Sequence, residues 1–205
     1  MRGVTNAQGV SGPYLTETLA PLIRRISLLE NNPPVGSVTT FAGFDWVVVH
    51  WDTENGVMYM ALKDIYSMTQ FAETSSGVTY ENSTLKQQSD DFANMLTVER
   101  KVGSSEAFHH SLAGVFVPTE SQLVSKFVLF KHNPEFNVRP NYGYGIANYQ
   151  GQAVPWWTST VVNVSEGGSN FSDVAFCFKA DGTYGSTLAT MQTAGFRPFI
   201  CVKMR

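Results

Sequence analysis

The residue types able to do chemistry are few in this sequence and poorly grouped. Its two cysteines, Cys177 and Cys201, form no Cys-x-x-Cys pair, and neither has a histidine at ligand spacing. A thiolate zinc site is not expected, and no metal or other cofactor is implied. Two readings of the pair stay open: buried free thiols in neighbouring strands, or a disulfide. His109 and His110 stand beside Glu106 in a polar stretch with no neighbouring nucleophile, which reads as a surface loop. His50 falls in an alternating pattern and reads as a half-exposed strand residue. No catalytic constellation emerges, and the expectation is a protein that is not an enzyme.

Recognition chemistry is better represented. Residues 131–155, KHNPEFNVRPNYGYGIANYQGQAVP, have no period and interleave Asn137, Arg139, Asn141, Tyr142, Tyr144, Asn148 and Tyr149 with Gly and Pro. Tyr offers broad contact area at low entropic cost, and Asn supplies donors and acceptors. A loop this long in a compact domain is usually functional; a rigid loop packed by its own aromatics is the alternative. Trp156 and Trp157 adjoin in a strand pattern and must face opposite sides. Trp156, like Trp46, is read as core, which leaves Trp157 as a stacking platform or interface anchor. Arg197 lies between apolar segments. Its guanidinium keeps its charge and needs acceptors, so it is expected to tie the long loop to a sheet through backbone carbonyls.

Composition narrows the partners. The chain has 205 residues, 43% hydrophobic, 13% aromatic and only 15% charged. This suits one domain with a short appendage, and excludes a disordered chain. Fourteen basic against seventeen acidic residues give a net charge of −3, without basic blocks, so nucleic-acid binding lacks its electrostatic footprint. No apolar run approaches the ~20 residues of a membrane span, and the start lacks the apolar region of a secretory peptide. The expectation is cytoplasmic synthesis, with release by something other than general secretion.

The elements that must position these residues divide at Pro34. Residues 1–14 read as a flexible arm that orders on a partner. Leu15, Leu19, Leu22, Ile26 and Leu29 alternate at spacings of four and three, the a/d pattern of two heptads. With Thr18 as N-cap, Pro21 would fall in the first turn, where its missing N–H is not needed. The stripe either packs on its own domain or forms a short oligomerisation stalk, most readily a trimer. From Val35 onward, strands are predicted at Ser37–Phe41, Asp45–Trp51 and Val57–Leu62, the last after an Asn55-Gly56 turn. A helix is predicted over Ser83–Leu96, capped by Asn82, with Leu85, Phe92, Met95 and Leu96 inward. A second helix should open at the Thr119–Gln122 capping box, after the strand Val115–Val117. The closing strands are Trp156–Asn163, Val174–Lys179 and Phe199–Met204, with a turn at Asp181-Gly182.

Several short motifs occur in an order that resembles a domain family of unknown function from phages, prophages and surface proteins of anaerobic Gram-positive bacteria. They are Gly36-Ser37-Val38 with Phe41-Ala42-Gly43-Phe44-Asp45-Trp46-Val47-Val48, then Tyr80-Glu81-Asn82-Ser83-Thr84-Leu85-Lys86, then Val115-Phe116-Val117-Pro118-Thr119-Glu120. Trp156-Trp157-Thr158-Ser159 and Gly195-Phe196-Arg197-Pro198-Phe199 complete the set, which spans 36–205. Lys86 and Thr158 stand where the family has arginine, so no role of those arginines is carried over.

The resemblance implies an α+β, C-type-lectin-like domain over 35–205: a twisted antiparallel sheet, two helices and a long irregular loop region that meets ligands. Residues 1–34 would be the arm and anchoring helix. The formylglycine-generating branch of that fold uses cysteines close together in the chain, unlike Cys177 and Cys201, so its activity is not carried over. The Glu-Pro-Asn and Trp-Asn-Asp arrangements of calcium-dependent lectins are missing too: Asn133-Pro134-Glu135 reverses the first, and Phe171-Ser172-Asp173 is a distant echo of the second. The resemblance implies a phage virion protein of tail or fibre type. It would be held to other virion proteins through residues 1–30 and would bind a host-surface glycan or protein. A capsid decoration or head-fibre protein with a purely structural domain is the alternative, and a formylglycine-generating-type enzyme a disfavoured third.

Overall fold

Locally dictated turns organise the first strands. Strand β1 (Val38–Phe41) pairs antiparallel with β2 (Phe44–Asp52) across Ala42-Gly43, whose φ angles of 49° and 78° are both left-handed. That hairpin geometry matches the natural twist of the strands it joins. Strand β3 (Val57–Leu62) follows the predicted Asn55-Gly56 turn. There Asp52 Oδ1 accepts the Asn55 backbone N–H at 3.1 Å, and Oδ2 accepts the Asn55 amide at 2.9 Å. The computed structural model describes residues 13–103, 112–127, 129–130, 145–162, 173–190 and 194–204.

Among the described residues the fold is α+β, built on two five-stranded sheets. The first has the order β1-β2-β3-β12-β5, antiparallel throughout, with β5 at Leu112–Phe116 and β12 at Phe199–Lys203. The second has the order β10-β9-β8-β11-β4. It comprises β4 (Ser67–Thr69), β8 (Trp156–Val162), β9 (Val174–Phe178), β10 (Tyr184–Leu188) and β11 (Ala194–Phe196), with β8 and β11 its parallel neighbours. Two short crossings between the sheets lie at 63–66 and at Arg197-Pro198. The crossings are stitched together: the Leu62 N–H reaches the Pro198 carbonyl at 2.9 Å, and the Tyr66 N–H reaches that of Phe196 at 3.0 Å.

Both faces are buried at the centre of the sheets, while Val38, Val162 and Leu188 are exposed. Trp46, Val48, Met58 and Met60 join Trp157, Cys177 and Phe196 in one apolar cluster. Val47, Val49 and Ala61 join Trp156, Phe178 and Phe199 in a second. Successive residues of β2 therefore enter opposite clusters, which is why Trp46–Val49 form an unbroken apolar run. Burying each such side chain contributes roughly 1.5–3 kcal/mol.

Helix α2 (Thr84–Gly103) covers the first cluster with Leu85, Phe92 and Leu96, as predicted. It runs longer than predicted, and its cap is Ser83, whose hydroxyl accepts the Lys86 N–H at 3.0 Å. Asn82 instead accepts the Thr79 N–H at 2.8 Å, closing the preceding turn. The capping box forms as expected: Thr119 Oγ1 accepts the Gln122 N–H at 3.1 Å, and Gln122 Oε1 accepts the Thr119 N–H at 2.9 Å. It opens a π-helical turn over Gln122–Lys126, whose Leu123 enters the second cluster with Phe127.

Four expectations need correction. Helix α1 spans Pro13–Asn31, so Thr18 is not its N-cap and Pro21 lies inside the helix. Pro21 is exposed, where water can replace the hydrogen bond its ring forfeits. The cysteines are free, yet in different sheets: Cys177 on β9, Cys201 on β12. Residues 145–155 are not irregular, because β6 (Ala147–Tyr149) and β7 (Gln152–Val154) pair across Gln150-Gly151, with φ of 52° and 81°. Finally, β9 ends at Phe178 and β12 at Lys203, each one residue short of its predicted limit, and Asn163 lies outside the described residues.

Candidate functional site

The predicted recognition loop is held at both ends by one tryptophan. Trp156 opens β8 and is fully buried in the second cluster. It stacks on Phe178 with ring centroids 4.5 Å apart and planes 7° from parallel. Phe130, the last described residue before 131–144, meets Trp156 edge-on at 6.3 Å. Gly145, the first after it, offers its carbonyl to the Trp156 indole N–H at 2.6 Å. A Cβ on Gly145 would lie 2.9 Å from both Phe178 and the Gly182 carbonyl, so only glycine fits that approach. Strand β6 is pinned in turn, its Asn148 carbonyl accepting the Ile65 N–H at 2.8 Å.

Arg197 belongs to the same assembly. It is only 3% exposed, its Nε donates to the Leu62 carbonyl at 2.7 Å, and its guanidinium carbon lies 5.0 Å from the Trp156 ring centroid. Burial lowers its pKa to about 10, while the Asp64 carboxylate works against that shift, so it stays cationic at neutral pH. That carbonyl lies at the end of β3, where the chain leaves the first sheet, while residues 131–144 of the long stretch that Arg197 was expected to tie fall outside the described residues. Asn137, Arg139, Asn141, Tyr142 and Tyr144 lie outside the described residues, as do His109 and His110.

Among the described members of the predicted site, Asn148 is exposed and Tyr149 is half-buried against the second cluster. Trp157 is not a platform. It is fully buried in the first cluster, and its indole N–H donates to the Thr69 carbonyl at 2.9 Å. The second sheet is covered on both faces, so alternation sends both tryptophans inward. Thr158, where the resembled family has arginine, is buried with its hydroxyl on the Phe176 carbonyl at 3.0 Å. Asp173 is buried as well, and its Oδ2 accepts the Val78 N–H at 2.7 Å. Trp46 is core, with its indole N–H on the Phe41 carbonyl at 3.0 Å. His50 is half-buried near Tyr59 and Phe127. Burial raises the pKa of both thiols, Cys177 and Cys201, which keeps them protonated and weakly nucleophilic. Among the described residues no His, Cys, Asp or Glu groups of three or more converge to hold a metal.

Sequence reasoning passed over two adjoining grooves that share Tyr66. One, about 460 Å³, lies between the β1–β2 turn and the first crossing and is lined by Phe44, Asp45, Lys63, Asp64 and Tyr66. The other, about 310 Å³, lies between β4 and α2 and is lined by Tyr66, Ser67, Gln88, Asp91 and Met95. Tyr66 is 42% exposed yet firmly seated: Phe92, Phe44 and Phe196 meet it edge-on at 4.8, 6.1 and 6.1 Å. Its hydroxyl contacts Met95 Sδ at 3.6 Å. No sequence motif announces this site, because three distant segments build it.

Helix α1 presents a different surface. Leu19, Leu22, Ile23 and Ile26 are 41%, 53%, 63% and 54% exposed. The side chains of Leu15 and Leu29, the outer members of the heptad, fall outside what is described. Among the described residues no helix is long and apolar enough to cross a membrane.

The sequence matches no protein-family model, and neither a curated protein nor a solved structure matches it.

Proposed function

We propose that this chain is a bacteriophage virion protein of tail or fibre type. Its α1 helix joins it to the particle and to other copies, most readily as a trimer. Its C-type-lectin-like domain faces outward to bind a host-surface glycan or protein. One observation carries the assembly half of this reading: the apolar stripe Leu19, Leu22 and Ile26, with Ile23 beside it, stands exposed on α1. Leu62, Leu85, Leu96, Leu123, Ile65 and Ile200 of the β domain are buried, Leu188 being its exposed exception, and two heptads are too short to associate strongly alone. A larger particle supplies the missing contacts. The lectin-like half rests on the motif resemblance, and the α+β body with its loop bracketed by Phe130 and Gly145 is in keeping with it.

The burial of Trp157 and the packing of Tyr149 favour a second reading, in which the domain serves only for packing on a capsid or head fibre. Immunogold labelling of purified particles from an infected host tests the proposal. Label at the tail or fibre supports it, label on the capsid favours the second reading, and no label on any particle overturns both. Deleting residues 1–14 should abolish incorporation while leaving the thermal midpoint of the domain unchanged.

A further inference from the structure

We propose that the surface around Tyr66 is a binding site for a neutral carbohydrate. The site adjoins β6, whose Asn148 carbonyl accepts the N–H of Ile65 in the groove wall, and it rests on the recognition reading only for the source of the sugar, a host surface. A sugar presents apolar C–H faces edged by hydroxyls, and an aromatic ring with hydrogen-bonding groups beside it complements both. Tyr66 supplies the ring, and its edge-on contacts with Phe44, Phe92 and Phe196 hold it in place before any ligand arrives. Binding therefore spends little on ordering the central contact.

The polar groups fall on either side of that ring. Asp45, Lys63 and Asp64 line one groove, and Asp91 and Ser67 line the other. Asp45 already accepts the Thr40 hydroxyl at 2.9 Å, which fixes its carboxylate in the wall of the groove. Lys63 tempers the acidity of the lining. Its ammonium lies 3.9 Å from Asp45 Oδ2, which offsets one carboxylate and adds a donor among the acceptors. A polyol uses donors and acceptors together, while Asp45, Asp64 and Asp91 against Lys63 leave the lining acidic, so a cation is the competing ligand that the test must exclude. The groove volumes of about 460 and 310 Å³ fall in the range of small-molecule sites, roughly 300–1,000 Å³.

The test is a neutral-glycan array read with the full chain, followed by titration of the best-bound glycan against variants checked for folding by circular dichroism. Tyr66→Ala should weaken binding by about tenfold or more, and Tyr66→Phe should retain it within about threefold. Asp64→Ala, at an exposed position, should weaken it by about threefold or more, and carries the test if Tyr66→Ala does not fold. No neutral glycan bound by the wild type overturns the proposal. So does binding unchanged in both alanine variants, or binding of spermidine alone that vanishes in high salt. Particles that carry a chain unable to bind glycan would leave the virion reading standing. Glycan binding by a chain absent from particles would do the reverse.

Discussion

Apolar side chains meet opposite fates in the β domain and in helix α1. In the domain, Trp46, Trp156, Met58 and Met60 are fully buried, and each sheet is covered on both faces. In α1, Leu19, Leu22, Ile23 and Ile26 all stand more than 40% exposed. The domain completes its own core, while the helix leaves a stripe exposed. The difference separates what holds the fold together from what the fold is used for. A residue of the same type is worth several kcal/mol to stability in one region and almost nothing in the other.

The sharpest way to break this contrast is at Trp156, which holds both ends of the 131–144 segment and lies against Arg197. Trp156→Ala should cost about 3–5 kcal/mol in urea unfolding. Leu22→Ala should move the same midpoint by less than about 0.5 kcal/mol. A Leu22 variant that destabilises the monomer as much as a core variant would place the helix inside the domain's own core. A smaller loss is expected at Gly195 on β11, where a Cβ would lie 2.4 Å from Ile65 Cγ2. Gly195→Ala should cost about 1–3 kcal/mol, because the crossing at Ile65 has no room to yield. Ser83→Ala, which removes the cap of α2, should cost about 1 kcal/mol.

The smallest expected effect is one of pH. The Asn55 side-chain amide, with help from its backbone N–H, holds the Asp52 carboxyl below the ordinary value of 3.8 against an opposing effect of burial. A lowered folded-state pKa means that the stabilising contribution is complete above the unfolded value and fades as pH falls through the folded one. Acid unfolding below about pH 4 should therefore be slightly less steep in Asp52→Ala than in the wild type, and stability at neutral pH should fall by less than about 1 kcal/mol.

Legibility in the sequence followed how locally each feature is determined. The Asn55-Gly56 turn and the Thr119–Gln122 capping box are fixed by contacts within four residues, and both form as expected. Strands β4 and β11 have three residues each and exist only through pairing with distant partners, so no period betrays them. Neither reading of the cysteine pair separates Cys177 and Cys201 into different sheets, because nothing local marks Arg197-Pro198 as a crossing between them. Trp157 was misplaced for a related reason. Alternation predicts opposite faces, but whether the second face meets water depends on α2, Phe71 and the first sheet, which pack there. The Tyr66 grooves were invisible on the same grounds, since the β1–β2 turn, the first crossing and α2 meet only in the fold.

The central claim, that the stripe on α1 is an assembly surface and no part of the domain core, is tested most directly at Ile26. Light scattering and circular dichroism on one sample give mass and folding together. Ile26→Glu would place like charges along the seam of every oligomer, where each buried unpaired charge costs several kcal/mol. The wild type is expected to be oligomeric, most readily trimeric. Ile26→Glu is expected to be a folded monomer whose thermal midpoint matches that of the wild-type domain. A wild type that remains monomeric at high concentration would reject a self-sufficient stalk and leave only pairing inside a larger particle, whereas an Ile26→Glu variant that unfolds would place the stripe in the domain core and contradict the account.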